Sequence, residues 1–213
     1  MRKSILRSVS AALLSVVLSS TALFAQGRVT FSSIPLGTPY KTFSRELKGR
    51  AFKYYAQRTE DDVFLGQVKR YVYRGSVNGN PADVHILCSS KSETVYEVEL
   101  YLKNLIDMDE AYEEANQLLQ EELNPYKWMV KEDDAPSISS VMKVDISANK
   151  HFLNQVAIYD GGARFRLYES EEQADTGQSI GFIKADVLLF MGKSVVDFTF
   201  SDAQALKKAE GEK

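Results

Sequence analysis

Thr94-Val95-Tyr96-Glu97-Val98-Glu99-Leu100-Tyr101-Leu102 decides the fold class. Tyr96, Val98, Leu100 and Leu102 alternate with Glu97 and Glu99. A strand points successive side chains to opposite faces, so this pattern predicts one apolar and one wet face. A sheet wet on one side is antiparallel, because parallel sheets are covered on both sides.

Downstream the periodicity changes. Met108, Ala111, Tyr112, Ala115, Leu118, Leu119 and Leu123 recur at helical spacing, with Glu113, Glu114, Gln117 and Glu121 off the stripe. Asp107 followed by Glu110 imitates a capping box, and Asn124-Pro125 ends the pattern, which predicts a helix over 108–123. Strand-like runs follow at Tyr126–Val130, Val141–Ile146, His151–Asp160, Ala163–Glu169, Ser179–Phe190 and Ser194–Phe200. The polar stretch Lys131–Pro136 reads as a loop, and Asp160-Gly161-Gly162 and Met191-Gly192-Lys193 read as hairpin turns. The polar tail Ala203–Lys213 is expected to fray.

Upstream, Thr38-Pro39 opens a short helix over 38–48, with Thr38 as N-cap, Pro39 at the first helical position and Gly49 as the stop. Ala51–Ala56 and Val63–Gly75 read as strands, as does Ala82–Cys88, and Asn78-Gly79-Asn80-Pro81 is a hairpin signal. The order is helix, strands, helix, strands. In both halves the helix leads to aromatics alternating with lysine, Phe52-Lys53-Tyr54 and Tyr126-Lys127-Trp128. The expectation is an α+β protein in which two amphipathic helices pack on antiparallel sheet, and a duplicated helix-plus-meander unit fits the order. The chain divides into a leader at 1–25, an α+β domain at 26–202 and a tail at 203–213. Whether 34–104 and 105–202 form separate subdomains is left open.

The leader has three basic residues, Arg2, Lys3 and Arg7, then the apolar run Ala11–Leu18, then small residues up to Ala25. That order is the substrate of a signal peptidase, with the cut expected after Ala25 and Ala22 as the next choice. The apolar run is too short to span a bilayer, no later segment is long enough, and no Cys near the cut could carry a lipid anchor. A periplasmic or secreted protein is the expectation. Without the leader's three basic residues, 23 basic stand against 29 acidic, a net charge of −6. Such a charge gives no general attraction for nucleic acid.

Phe31-Ser32-Ser33-Ile34-Pro35-Leu36-Gly37-Thr38, with Phe43 and Leu47, resembles the start of the mature region in uncharacterised exported proteins of anaerobic Gram-negative gut bacteria. In those proteins one further residue separates the aliphatic residue from the glycine, whereas here Gly37 follows Leu36 directly. The order of short helix and antiparallel strands is similar to the β-lactamase-inhibitor-like fold, shared with small outer-membrane assembly lipoproteins. That likeness is architectural alone, since those lipoproteins carry an acylated Cys absent here. The resemblance implies an exported binding or envelope-associated module and supplies no catalytic residue.

The residues themselves offer little chemistry. Cys88, the one cysteine, ends a strand that puts it beside Val84 and Ile86, as a buried thiol. The sharper alternative, a nucleophile with His85 as base, is opposed by a three-residue spacing that points the two to opposite faces. His151 is the remaining base. Asp107, Asp109 and Glu110 lack the glycine and further ligands of a calcium loop, and no phosphate loop or nucleophile elbow is present. No catalytic residue, metal or cofactor is assigned. Arg70 and Arg74 share one strand face, and Arg164 and Arg166 another. These four are either cross-strand ion pairs or a surface for an acidic glycan. Other exported proteins are candidate partners. The alternatives to a binding module are a periplasmic hydrolase built from distant carboxylates and a histidine, and an inhibitor or assembly partner with a protruding hairpin at Gly75–Asp83.

Overall fold

The computed structural model describes residues 27–105, 107–133, 140–143, 158, 161–190 and 192–212. A short hairpin, β1 (Thr30–Phe31) and β2 (Ile34–Pro35), precedes helix α1 (Tyr40–Gly49). Strands β3 (Lys53–Asp62), β4 (Gly66–Val77), β5 (Asn80–Ser89) and β6 (Val95–Leu105) follow. Helix α2 (Met108–Leu123) leads to β7 (Trp128–Asp133), β8 (Ser140–Lys143) and β9 (Gly162–Tyr168). A short helix α3 (Glu171–Thr176), strands β10 (Gly181–Phe190) and β11 (Lys193–Asp202), and helix α4 (Ala203–Glu210) complete the described chain.

The long strands form one nine-stranded sheet in the order β3-β4-β5-β6-β11-β10-β9-β7-β8, and every pairing is antiparallel. Each half runs from an edge to the centre, where β6 and β11 meet through Leu100↔Phe198 and Glu99↔Thr199. The halves share the order helix, then strands from the edge inward, with β8 added outside β7 in the second. This is the α+β architecture that the alternation at 94–102 predicts, with both predicted helices present and, among the described residues, strands at the runs around them.

The principal core lies on one face of the sheet. Phe43 and Leu47 of α1, and Ala111, Ala115, Leu119 and Leu123 of α2, pack there against Tyr73, Ile86, Val98, Leu100, Phe165, Ile183, Phe198 and Phe200. The β1–β2 hairpin fills the remaining gap, with the Phe31 ring edge-on to Phe200 at 5.1 Å. On the opposite face, α4 sets Ala205 and Ala209 on Val68, Leu87 and Tyr96, and α3 sets Ala174 on Val130 and Tyr168. Both lie at the end of the sheet where β10 begins and β11 finishes.

The β4–β5 turn follows its sequence signal closely. Val77 pairs with Asn80, and Asn78 (φ 50°) and Gly79 (φ 85°) take the left-handed conformations that a two-residue hairpin needs. The second helix has the predicted limits, and the Asp107 carboxylate accepts from the Glu110 amide at 2.9 Å.

Several expectations are corrected. Thr38 does not cap α1, because its hydroxyl donates to the Pro35 carbonyl and Pro39 holds the N-cap position. Tyr96 does not share the face of Val98. Leu87 pairs with Glu97 while Cys88 pairs with Val95, so Tyr96 is the extra residue of a β-bulge and turns toward α4. The face carrying Glu97 and Glu99 is accordingly half-buried rather than fully wet. The tail at 203–213 does not fray over its first eight residues, because Asp202 caps α4 and α4 buries its alanines. Lys131–Asp133 continue β7 instead of starting a loop. The short helix α3, capped by Ser170, carries too few apolar residues to show a periodicity. The predicted strand His151–Asp160 lies outside the described residues except for Ile158, and so do residues 144–146 and the leader.

Candidate functional site

The sheet face opposite α1 and α2 is polar over its central strands. The cross-strand register places Arg70 beside Leu87, His85 beside Glu99, Tyr101 beside Asp83 and Asp197, and Asp197 beside Asp186. Charges that a single strand scatters two residues apart thus become neighbours across the sheet.

Two clusters follow. In the first, Arg70 reaches Glu60 at 2.9 Å through Nε and bonds Glu99 through Nη1, which also lies 3.2 Å from His85 Nδ1. His85 Nδ1 is 3.4 Å from Glu99 Oε2, and the Tyr101 hydroxyl donates to the same oxygen at 3.0 Å. Burial alone would raise the Glu99 carboxyl, but His85, the Arg70 charge and Tyr101 outweigh it and hold it below the ordinary range. The second, Asp186 and Asp197 beside Glu99, is acidic, and Glu97 lies further along β6, opposite Ser201. Burial, with the Glu99 charge adding, pushes Glu97 up to about 7. Burial and the charges of Glu99 and Asp186 push Asp197 up to about 6. Asp197 Oδ1 is buried with no hydrogen-bond partner among the described residues. Lys184 answers Asp186 at 2.7 Å.

The four arginines singled out by sequence all lie on this face, but as two separate pairs. Arg70 and Arg74 sit on β4, and Arg164 and Arg166 on β9, five strand spacings away or about 24 Å. Their charges are largely answered locally. Arg74 lies 3.5 Å from Asp83 and 3.4 Å over the Tyr55 ring, Arg166 is 3.0 Å from Glu132, and Arg164 stacks 4.4 Å over Phe182. Cross-strand pairing therefore accounts for Arg70, Arg74 and Arg166. The residues that sequence reading missed are Asp186 and Asp197. Their signal is an acid inside an otherwise apolar strand, Ala185-Asp186-Val187 and Val196-Asp197-Phe198.

The histidine–cysteine pairing does not form. Cys88 is fully buried on the helix side, and His85 lies on the polar side. Burial raises the thiol far above its ordinary range. His151 lies outside the described residues. Among the described residues no group of three or more His, Cys, Asp or Glu is arranged to hold a metal, and no helix is long and apolar enough to cross a membrane.

Two cavities stand out among the described residues. The larger, about 600 Å³, lies where the first described residues meet the turn after α2, and its lining includes Arg28, Thr30, Tyr126, Lys127, Tyr168 and Glu169. Its polar groups are partly committed, since Arg28 pairs with Asp202 and the Tyr126 hydroxyl bonds Thr30. The smaller, about 200 Å³, lies between the β3–β4 turn and α4, with Glu97 and Tyr96 in its wall. His85 lines neither. The candidate inhibitory hairpin at Gly75–Asp83 is paired to its tip, and Asn78 Nδ2 is 3.4 Å from Glu114 of α2.

No protein-family model, curated protein or solved structure matches the chain.

Proposed function

We propose that this is an exported, non-enzymatic binding module whose working surface is the polar face of the sheet, and that it receives a cationic group of its ligand or partner. The observation that carries this reading is the acidic centre of that face. Glu99, Asp186 and Asp197 converge on β6, β10 and β11, with Glu97 further along β6, and Asp197 Oδ1 has no hydrogen-bond partner among the described residues. Crowded carboxylates resist ionisation, and a cation placed among them would relieve that repulsion. The leader at 1–25 supports export.

A polyanionic ligand is less well supported, because three of the four candidate arginines are already in ion pairs. For a hydrolase, neither of these cavities among the described residues is lined by His85, and His151 lies outside the described residues.

The test is an amide chemical-shift titration of residues 26–213 with a short lysine–arginine peptide and, separately, with a sulfated oligosaccharide. Saturable shifts around Glu99 and Asp197 with the peptide, weakened by Asp197→Asn, are expected. Saturable shifts around Arg164 and Arg166 with the oligosaccharide alone would replace this reading with the anionic one. No saturable shift with either probe would reject the face as a site for charged ligands.

A further inference from the structure

We infer that two copies of this chain pair antiparallel along β3, joining their sheets into one across a two-fold axis at Thr59. Strand β3 is the outer strand of the sheet, ten residues long, and seven of its ten positions are exposed. An outer strand presents unpaired N–H and C=O groups along its free side, which is the template for adding another strand. The occupant follows from the strand's own sequence, Lys53-Tyr-Tyr-Ala-Gln-Arg58-Thr-Glu60-Asp-Asp62, which is basic in its first part and acidic in its last. Antiparallel self-pairing sets the basic part of each copy against the acidic part of the other.

The register is restricted. A two-fold axis that makes strands antiparallel stands perpendicular to the sheet, so each residue must pair with one on its own face, at an even separation. Centring on Arg58 or Glu60 would set like charges directly opposite each other, which is unfavourable. Centring on Thr59 sets Arg58 opposite the partner's Glu60, twice, and Gln57 opposite the partner's Asp61. Among the described residues Arg58 has no ion-pair partner in its own chain, and the Glu60 side chain is still partly exposed while bonded to Arg70.

The same register explains an exposed apolar pattern. Six large apolar side chains are exposed among the described residues, and four flank this strand: Tyr54 (49%), Tyr55 (56%), Val63 (92%) and Phe64 (74%). The two tyrosines lie at one end of β3, and Val63 and Phe64 lie in the turn beyond the other. Pairing about Thr59 brings the tyrosine end of each copy, where β3 bulges at Tyr55, next to the turn that holds the partner's Val63 and Phe64. The polar faces of the two copies then lie on the same side of the joined sheet.

The experiment is sedimentation of residues 26–213 with charge-swapped variants, each checked for native circular dichroism. The wild type is expected to sediment as a dimer. Arg58→Glu and Glu60→Arg should each weaken it at least about tenfold, because each replaces two attractive pairs with two repulsive ones. An equimolar mixture of the two variants should restore a dimer, since every pair is then again opposite in sign. Thr59→Cys, on the axis, should yield a disulfide-linked dimer on oxidation, because directly opposed residues lie about 4.5–5.5 Å apart, within disulfide reach. A wild type that stays monomeric to millimolar concentration overturns the proposal. So does a dimer that survives both single substitutions and leaves Thr59→Cys uncrosslinked. Neither outcome bears on the cationic-ligand reading, which concerns β6, β10 and β11.

Discussion

Arg28 and Asp202, 174 positions apart, form an ion pair at 2.8 Å in which the carboxylate is fully buried. The same carboxylate accepts from the Val29 amide at 3.2 Å and from the Ala205 amide at 2.8 Å, so it both anchors the start of the described chain and caps α4. A buried charge is tolerated only when its lone pairs are answered, and here three donors answer them. Asp202→Ala is expected to cost about 3 kcal/mol, the sum of a lost cap and a broken partly buried pair. Asp202→Asn should cost less, since an amide oxygen still caps the helix. Urea denaturation at neutral pH measures both, and equal losses would show that the capping role is unimportant.

Stability should fall as pH rises through neutrality. Burial holds Glu122 at about 7 in the folded protein against an ordinary 4.5, although both its oxygens accept from the Ser32 amide. Between those values the folded state keeps a proton that the unfolded chain has released, so rising pH favours unfolding. Glu97 acts in the same direction over the same window, and Asp197 does so up to about 6. Glu99, held below its ordinary range, works the other way and destabilises only under stronger acid. The maximum therefore falls near pH 5. Glu122→Gln should flatten the slope between pH 5 and 8 by about 3 kcal/mol, as guanidinium midpoints at the two pH values would show. An unchanged slope would mean that Glu122 ionises normally.

Gly181 should not tolerate a side chain. It opens β10 with φ 150°, and a Cβ there would lie 2.0 Å from the Ser201 carbonyl oxygen and 2.6 Å from the Val29 side chain. The nearest atom is backbone and cannot swing aside. Gly181→Ala is expected to destabilise by at least about 2 kcal/mol. A thermal midpoint matching the wild type would show that the β10–β11 register relaxes at this end.

Cys88 should be chemically silent in the folded protein. Its thiol is fully buried, and burial disfavours the reactive thiolate. Labelling by an aromatic disulfide reagent should occur only at the rate of unfolding and become immediate in denaturant. Rapid labelling of the native protein would reopen the nucleophile reading.

Local patterns carried most of the fold. Alternation at 97–102, the helical stripe at 108–123 and the Asn78-Gly79 turn each reflect forces acting over a few residues, and the structure follows them. Features that depend on distant contacts were not legible. The tail looks polar, yet Ala205 and Ala209 suffice to dock α4 because Tyr96, Leu87 and Val68 wait beneath it. Tyr96 waits there because of a bulge that no local pattern announces.

The site divides the same way. The chain's own alternation placed Arg70, Arg74, Arg164 and Arg166 on polar strand faces and kept His85 away from Cys88, because side-chain direction along a strand is a local property. That Arg70 meets Glu99, and that Glu99, Asp186 and Asp197 converge, was decided by the tertiary structure alone. The cause is the antiparallel junction of β6 with β11, where residues about a hundred positions apart fall into register. Cross-strand register is set by the summed packing of the whole sheet, and no short stretch of sequence contains it.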